Sequence, residues 1–194
     1  MLTDGSRRLL GRAARRESIL RAAAEAFAER GYAATSMEDV ASACGVTRLI
    51  VYRHFPAKRD LYGAVLEKVA HRLAEEFSAQ VRPGGVAEGS VAAMLSVARE
   101  NPYGFALLWR HAAREPEFSE HAEAIRARVV AEAETLLGSR VGVGASRRWA
   151  AATLVAFLVE AVLAWLDLGR PEEDGSLADR LARSLPALVR AWKE

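Results

Sequence analysis

Breakers fall along this chain at intervals that suit helices and little else. Gly31, Gly45 and Pro56 punctuate the first third. Residues 82–85, Asn101 with Pro102, Glu115 with Pro116, and the stretches 138–144 and 169–175 divide the rest. Between them Ala, Leu, Arg and Glu dominate, and the alternating β-branched runs that would signal strands are nearly absent. The chain is therefore expected to be all-α. With 51% hydrophobic residues it can fill a sizeable core, and 27% charged residues place it outside the disordered classes. No internal repeat is visible.

The first three helices carry the clearest local signals. Ile19, Ala23 and Phe27 recur on one face of a helix expected over about 15–30, with Gly31 able to take the left-handed cap position and Tyr32 folding back on Phe27. Ser36 followed by Asp39 is a capping-box pattern, with Thr35 and Glu38 as a one-residue alternative, and opens a second helix. Its inner stripe is Met37, Val40, Ala41 and Cys44, and Gly45 ends it. Thr47 is a suitable N-cap for a short third helix, which must stop near Phe55 because Pro56 follows. A long fourth helix is expected from about 57 to 80. Five more follow, over about 86–99, 102–114, 117–137, 146–168 and 176–193, giving about nine in all. The last carries Leu177, Leu181, Leu185, Leu188 and Trp192 along one side, with Pro186 expected to kink it.

Two short helices meeting across a Gly-containing turn form a helix-turn-helix. Val51 and Phe55 face inward in the third helix, leaving Arg48, Leu49, Ile50, Tyr52 and Arg53 largely outward. Exposed aliphatics there need a partner, and thymine methyls in a major groove are one. Lys58 and Arg59 stand in the first turn of the fourth helix, where positive charge opposes the helix dipole. A local rule broken in this way marks a functional site, and Lys58 beside free helix amides would clamp a phosphate. Charge placement agrees. Residues 1–63 hold eleven Lys/Arg against seven Asp/Glu, a surplus of four in a chain whose net charge is +2. The arginines between Arg7 and Arg16 could lie along DNA or form a solvated tail.

The stretches Ile19-Leu-Arg-Ala-Ala-Ala-Glu-Ala-Phe27, Gly31-Tyr-Ala-Ala-Thr-Ser36, Glu38-Asp-Val-Ala41, Gly45-Val-Thr47, Val51-Tyr-Arg-His-Phe-Pro-Ala-Lys58 and Leu61-Tyr62 closely resemble the TetR family of transcriptional regulators. The resemblance covers about 16–67. It implies a nine-helix fold with a DNA-binding unit over 1–63, led by a basic N-terminal arm, and an effector-binding and dimerisation unit over 64–194. It further implies that Thr35 or Ser36 touches phosphate, that Thr47 and Arg48 enter the groove, and that Tyr52, His54 and Lys58 hold the backbone. Leu49 and Ile50 depart from the usual pattern, where a small or proline-like residue and a threonine are common. Readout here is expected to lean on apolar thymine contacts.

The remaining expectations concern control and assembly. Tyr103, Phe105, Trp109, Phe118, Phe157 and Trp165 are candidates to line a pocket for a small, largely apolar effector, with Arg110 and Glu160 as polar anchors. Glu160 could instead pair with an arginine or sit at a dimer seam. The apolar run 149–166 approaches the length of a membrane span, but Glu160 interrupts it, and a buried or interface helix is the better reading. Together with the last helix it would form a four-helix seam in a homodimer. Cys44 is the single cysteine, so no intramolecular disulfide can form, and a cytoplasmic protein with no secretory leader is expected. Cys44 itself reads as a structural thiol. His71, His111 and His121 lack metal-ligand spacing, and no cofactor is implied. No Walker loop, nucleophile elbow or Cys/His set points to an enzyme, and Gly142-Val-Gly144 is only a loop. The function expected is that of a regulator, in the repressor sense, that grips a pseudo-palindromic operator.

Overall fold

A computed structural model describes residues 4–80, 86–138 and 141–192. Among the described residues nine α-helices run in chain order: α1 (Asp4–Ala34), α2 (Met37–Ala43), α3 (Arg48–His54), α4 (Lys58–Gln80), α5 (Val86–Glu100), α6 (Pro102–Ala106), α7 (Ser119–Leu137), α8 (Ala145–Leu168) and α9 (Asp174–Ala191). No strand occurs among the described residues. The expected break at 82–85 lies outside them.

α1 begins eleven residues earlier than the expected start near 15. An acidic residue, Asp4, stands at its N-terminus, and Ala, Leu and Arg follow, all good helix formers. Near its other end Gly31 leaves the helical region at φ 81°, ψ 163°, so the break expected there is a kink followed by one residual turn.

The segment 102–114 is not one helix. α6 gives way to a π-helical turn over Leu107–His111 and then a 3₁₀ turn over Ala112–Arg114. Phe105, Leu107, Leu108, Trp109 and Ala112 are all buried. A regular helix would aim Leu107 well away from the others. All five are covered because α1, α4 and α5 pack around this segment from several sides.

α4 joins the two halves. Its early residues Leu61 and Tyr62 pack with α1, and Val69 and Leu73 belong to the same continuous core further along. α5 packs on both α4 and α9, while α7 lies along α8. α9 runs through Pro186, which sits on its exposed side, and buries Leu181 and Leu185. α8 is long and apolar enough to cross a membrane by composition, yet nearly half of it is buried inside the fold. Its opposite face bears the exposed Trp149, Phe157 and Leu168.

Candidate nucleic-acid interface

The helix-turn-helix is built from local hydrogen bonds that the sequence dictates. Ser36 opens α2: its hydroxyl accepts from the Asp39 amide at 3.1 Å, and its own amide donates to Asp39 Oδ2 at 2.8 Å. The Ser36 hydrogen bonds and then Arg30, 3.1 Å away, hold the Asp39 carboxyl below the usual carboxylate range. Gly45 takes φ +65° in the turn, and Val46 N then returns to Ala41 O at 3.0 Å. Cys44 is half-buried, donates to Val40 O, and has its thiol pKa raised by burial. Those features suit a structural thiol rather than a nucleophile.

Thr35 and Ser36 are alternatives for the phosphate contact, and they differ in exposure. Thr35 is only 1% exposed, and its hydroxyl donates to Ala26 O at 3.1 Å and Gly31 O at 2.8 Å. It bonds the kink at Gly31 and has no surface to offer. Ser36 is half-buried and engaged in the capping box.

On α3 the surface is narrower than expected. Thr47, Arg48, Leu49 and Arg53 are exposed, Leu49 at 61%. Ile50 and Tyr52 instead lie half-buried against the core, because the short helix has to cover Val51 on both sides. The Thr47 hydroxyl makes no capping bond. Arg48 pairs with Glu38 of α2, and its guanidinium also reaches the Tyr52 hydroxyl at 3.2 Å while lying 5.0 Å over that ring. Glu38 was not foreseen as part of this surface, since only the tertiary crossing of α2 and α3 brings it there.

α1 adds a second flank. Arg16 lies 4.9 Å over the Phe55 ring, behind His54. Burial, and then Arg12, Arg16 and Arg15, push the His54 pKa below its ordinary 6.5. A half-buried imidazole beside three arginines is the electrostatic signature of a cationic face.

Lys58 has the compensation that its sequence position conceals. Its ammonium donates to Tyr32 O at 2.8 Å and Ala33 O at 3.3 Å and sits 4.4 Å over the Tyr32 ring. The charge that opposes the α4 dipole is thus held by carbonyls at the end of α1, which favour it. Behind Lys58, Tyr32, Tyr62, Phe27 and Phe118 pack edge to face. Burial, and then the Glu117 carboxylate, push the Tyr32 hydroxyl up to about 12.

The eight candidate effector residues do not gather in one place. Phe118 belongs to the junction just described, and Phe105 and Trp109 are buried 6.2 Å apart at the π turn. Tyr103 is exposed. Phe157 and Glu160 lie on the outer face of α8; this helix is apolar all round, so periodicity could not tell its two sides apart. Arg110 bonds Asp167 at 3.1 Å with Glu160 at 4.0 Å, and Trp165 donates to Asp174, which Arg99 also clamps. A cavity of about 630 Å³ opens between α5 and α9, beside Leu95, Arg99, Asp174 and Ala178, none of them anticipated.

Residues 19–65 match the family model described as bacterial regulatory proteins, tetR family. The chain is 29% identical over 180 residues to the HTH-type transcriptional activator FasR of Mycolicibacterium smegmatis, covering 88% of this chain and 80% of that one. It is 44% identical over 71 residues to the HTH-type transcriptional repressor Rv3405c of Mycobacterium tuberculosis, spanning 37% of this chain and 38% of that relative. A TetR-like transcriptional regulator from a Rhodococcus species superposes with a TM-score of 0.73 at 20% identity, over 90% of this chain and 93% of that one. The fatty acid degradation regulator FadR of Bacillus halodurans superposes with a TM-score of 0.71 at 16% identity, over 88% and 93%. The helix-turn-helix over residues 19–65 matches the TetR family, and the helices described along the chain share the fold of TetR-like regulators.

Proposed function

We propose that this regulator acts as a homodimeric repressor that binds a pseudo-palindromic operator and is released from it by a small, largely apolar effector. The observation that carries the DNA-binding half is α3 itself: Leu49 and Arg48 stand exposed side by side at its N-terminal end, where base edges are read. Thr47 and Arg53 border them, and Ser36, Tyr52, His54 and Lys58 are the proposed backbone contacts. Lys58 would exchange one of its carbonyl partners for a phosphate oxygen. The cationic flank from α1 supplies sequence-independent attraction.

The dimer rests on α8. Trp149, Phe157 and Leu168 expose large apolar surface on one side of the most apolar helix of the chain, and Leu168 is 86% exposed. Patches of this kind are covered by another chain more often than by water. Trp192, just after α9, stacks edge to face on Trp149 at 5.1 Å and extends the surface. Two copies related by a two-fold axis would bury it in a four-helix seam, and would present two α3 helices to two half-sites. Such a protein acts in the cytoplasm and catalyses no reaction.

A second reading is activation, favoured by the relative that matches across most of the chain and is named an activator. Gel shifts with fragments upstream of the gene test DNA binding, and transcript levels after deletion separate the two outcomes. Repression predicts that neighbouring transcripts rise on deletion. A fall favours activation, and the absence of any shifted fragment overturns both.

A further inference from the structure

The π turn at Leu107–His111 and the facing side of α7 hold hydrogen-bond donors that the fold does not use. Arg126 reaches across from α7 and donates through Nη2 to the carbonyl oxygen of Trp109. Its guanidinium carbon lies 5.8 Å from the centre of the Trp109 ring. Among the described residues Arg126 Nε is buried without a partner, and so is Nε1 of Trp109, a residue only 8% exposed. Both unused atoms are donors, and one belongs to a permanent cation.

Three other half-buried arginines meet carboxylates, whereas Arg147, at the start of α8, donates to the carbonyls of Val141 and Gly142. Arg72 holds Glu75, Glu76 and Glu100; Arg99 holds Asp174; Arg110 holds Asp167. No carboxylate pairs with Arg126 among the described residues, so its charge is met there by one carbonyl dipole and the Trp109 ring. An unpaired charge drawn out of water is costly, and a neutral amide could cap that carbonyl as well. The arrangement is complementary to an anion, and the buried rings of Trp109 and Phe105 make its surroundings apolar.

We infer that the effector is an apolar molecule with a carboxylate head, and that Arg126 and the Trp109 indole bind that head. This rests on the effector reading above and makes it specific. α7 begins just after Phe118, which packs on Tyr32 and Tyr62 behind Lys58. A ligand that engages Arg126 therefore acts on a rigid helix whose other end abuts the DNA-binding head.

The test uses the intact protein and three probes that share one body: 4-phenylbutyrate, 4-phenylbutyramide and 4-phenylbutylamine. Calorimetry should show the carboxylate bound at least ten times more tightly than the amide, with the amine weakest. Arg126→Gln keeps a donor for the Trp109 carbonyl and should bring carboxylate and amide within about twofold, with amide affinity unchanged. Trp109→Phe, which removes only the indole donor, should narrow the preference in part. An unaltered thermal melt for either variant assigns the effect to the head group. Equal binding of carboxylate and amide by the unaltered protein, a preference that survives Arg126→Gln, or no carboxylate binding up to millimolar concentration overturns the inference. Operator binding measured beside it separates the two readings. An Arg126-dependent preference without operator release keeps the site and rejects control by it. Release by the amide as readily as by the carboxylate keeps control and rejects the carboxylate site.

Discussion

The ring of Phe118, one residue before α7, lies 4.3 Å from that of Tyr62 in the early part of α4. Tyr32 at the end of α1 contacts both, so three elements from the two halves of the molecule meet in one aromatic knot. Phe118 is buried here as a structural link. Phe118→Ala should cost about 3–5 kcal/mol in urea denaturation, the range for emptying a buried aromatic site. Tyr62→Phe is the control. Its hydroxyl is buried without a partner among the described residues, so its loss should leave stability unchanged or improve it. A loss above about 1 kcal/mol for Tyr62→Phe would mean that the hydroxyl is satisfied after all.

Lys58 joins the same knot from the DNA side. Lys58→Ala should lower stability by about 1–2 kcal/mol, because two carbonyls at the end of α1 lose a charged donor. It should also weaken operator and random DNA nearly equally and flatten the salt dependence by about one unit of logarithmic slope. Anisotropy titrations from 50 to 300 mM salt check both effects. A change confined to the operator would make Lys58 a base reader instead.

Arg48 is expected to carry specificity. Arg48→Ala should cost about ten- to a hundredfold on operator and far less on random duplex. Glu38→Gln removes the carboxylate that aims Arg48 and also removes a negative charge from the DNA face. Affinity for random DNA should therefore rise while the ratio of specific to random binding falls. Competition binding measures that ratio, and an unchanged ratio would show that Glu38 does not position Arg48.

His54 predicts a pH dependence. Its folded pKa is depressed by burial and by Arg12, Arg16 and Arg15, so near neutral pH it is neutral in the fold. As pH falls through the ordinary value of 6.5, the unfolded chain takes up a proton before the folded one does, and stability drops. DNA phosphates would neutralise the arginines and restore the imidazole's basicity, so binding should take up a proton. Operator affinity should rise between pH 8 and pH 6 by a factor below about ten. His54→Asn should flatten that rise, and an identical pH profile in the variant would remove His54 from the interface.

What could be read from the sequence was what local chemistry decides. Ser36 opens α2, and Gly45 and Pro56 follow helix ends, all through contacts within a few residues, so the helix-turn-helix was legible in outline. The misplacements share a different cause. Thr35 looked like a surface cap, and its burial depends on the carbonyls freed at the Gly31 kink. Lys58 looked uncompensated because its partners lie 25 and 26 positions away. α8 is apolar on every side, so no period could separate Val159 in the core from Phe157 and Glu160 outside it. Arg126 is one of two arginines in α7, and only its approach to a π turn, itself invisible to a 3.6-residue period, distinguishes it.

The central claim is that paired α3 helices read an inverted repeat, and selection from a pool of random duplexes measures this most directly. Sequencing of the retained DNA should return a pseudo-palindrome with half-site centres about one to one and a half helical turns apart. Enrichment at the positions nearest α3 should be lost with Arg48→Ala but retained with Lys58→Ala. A single asymmetric motif, or no enrichment over the starting pool, would contradict the account.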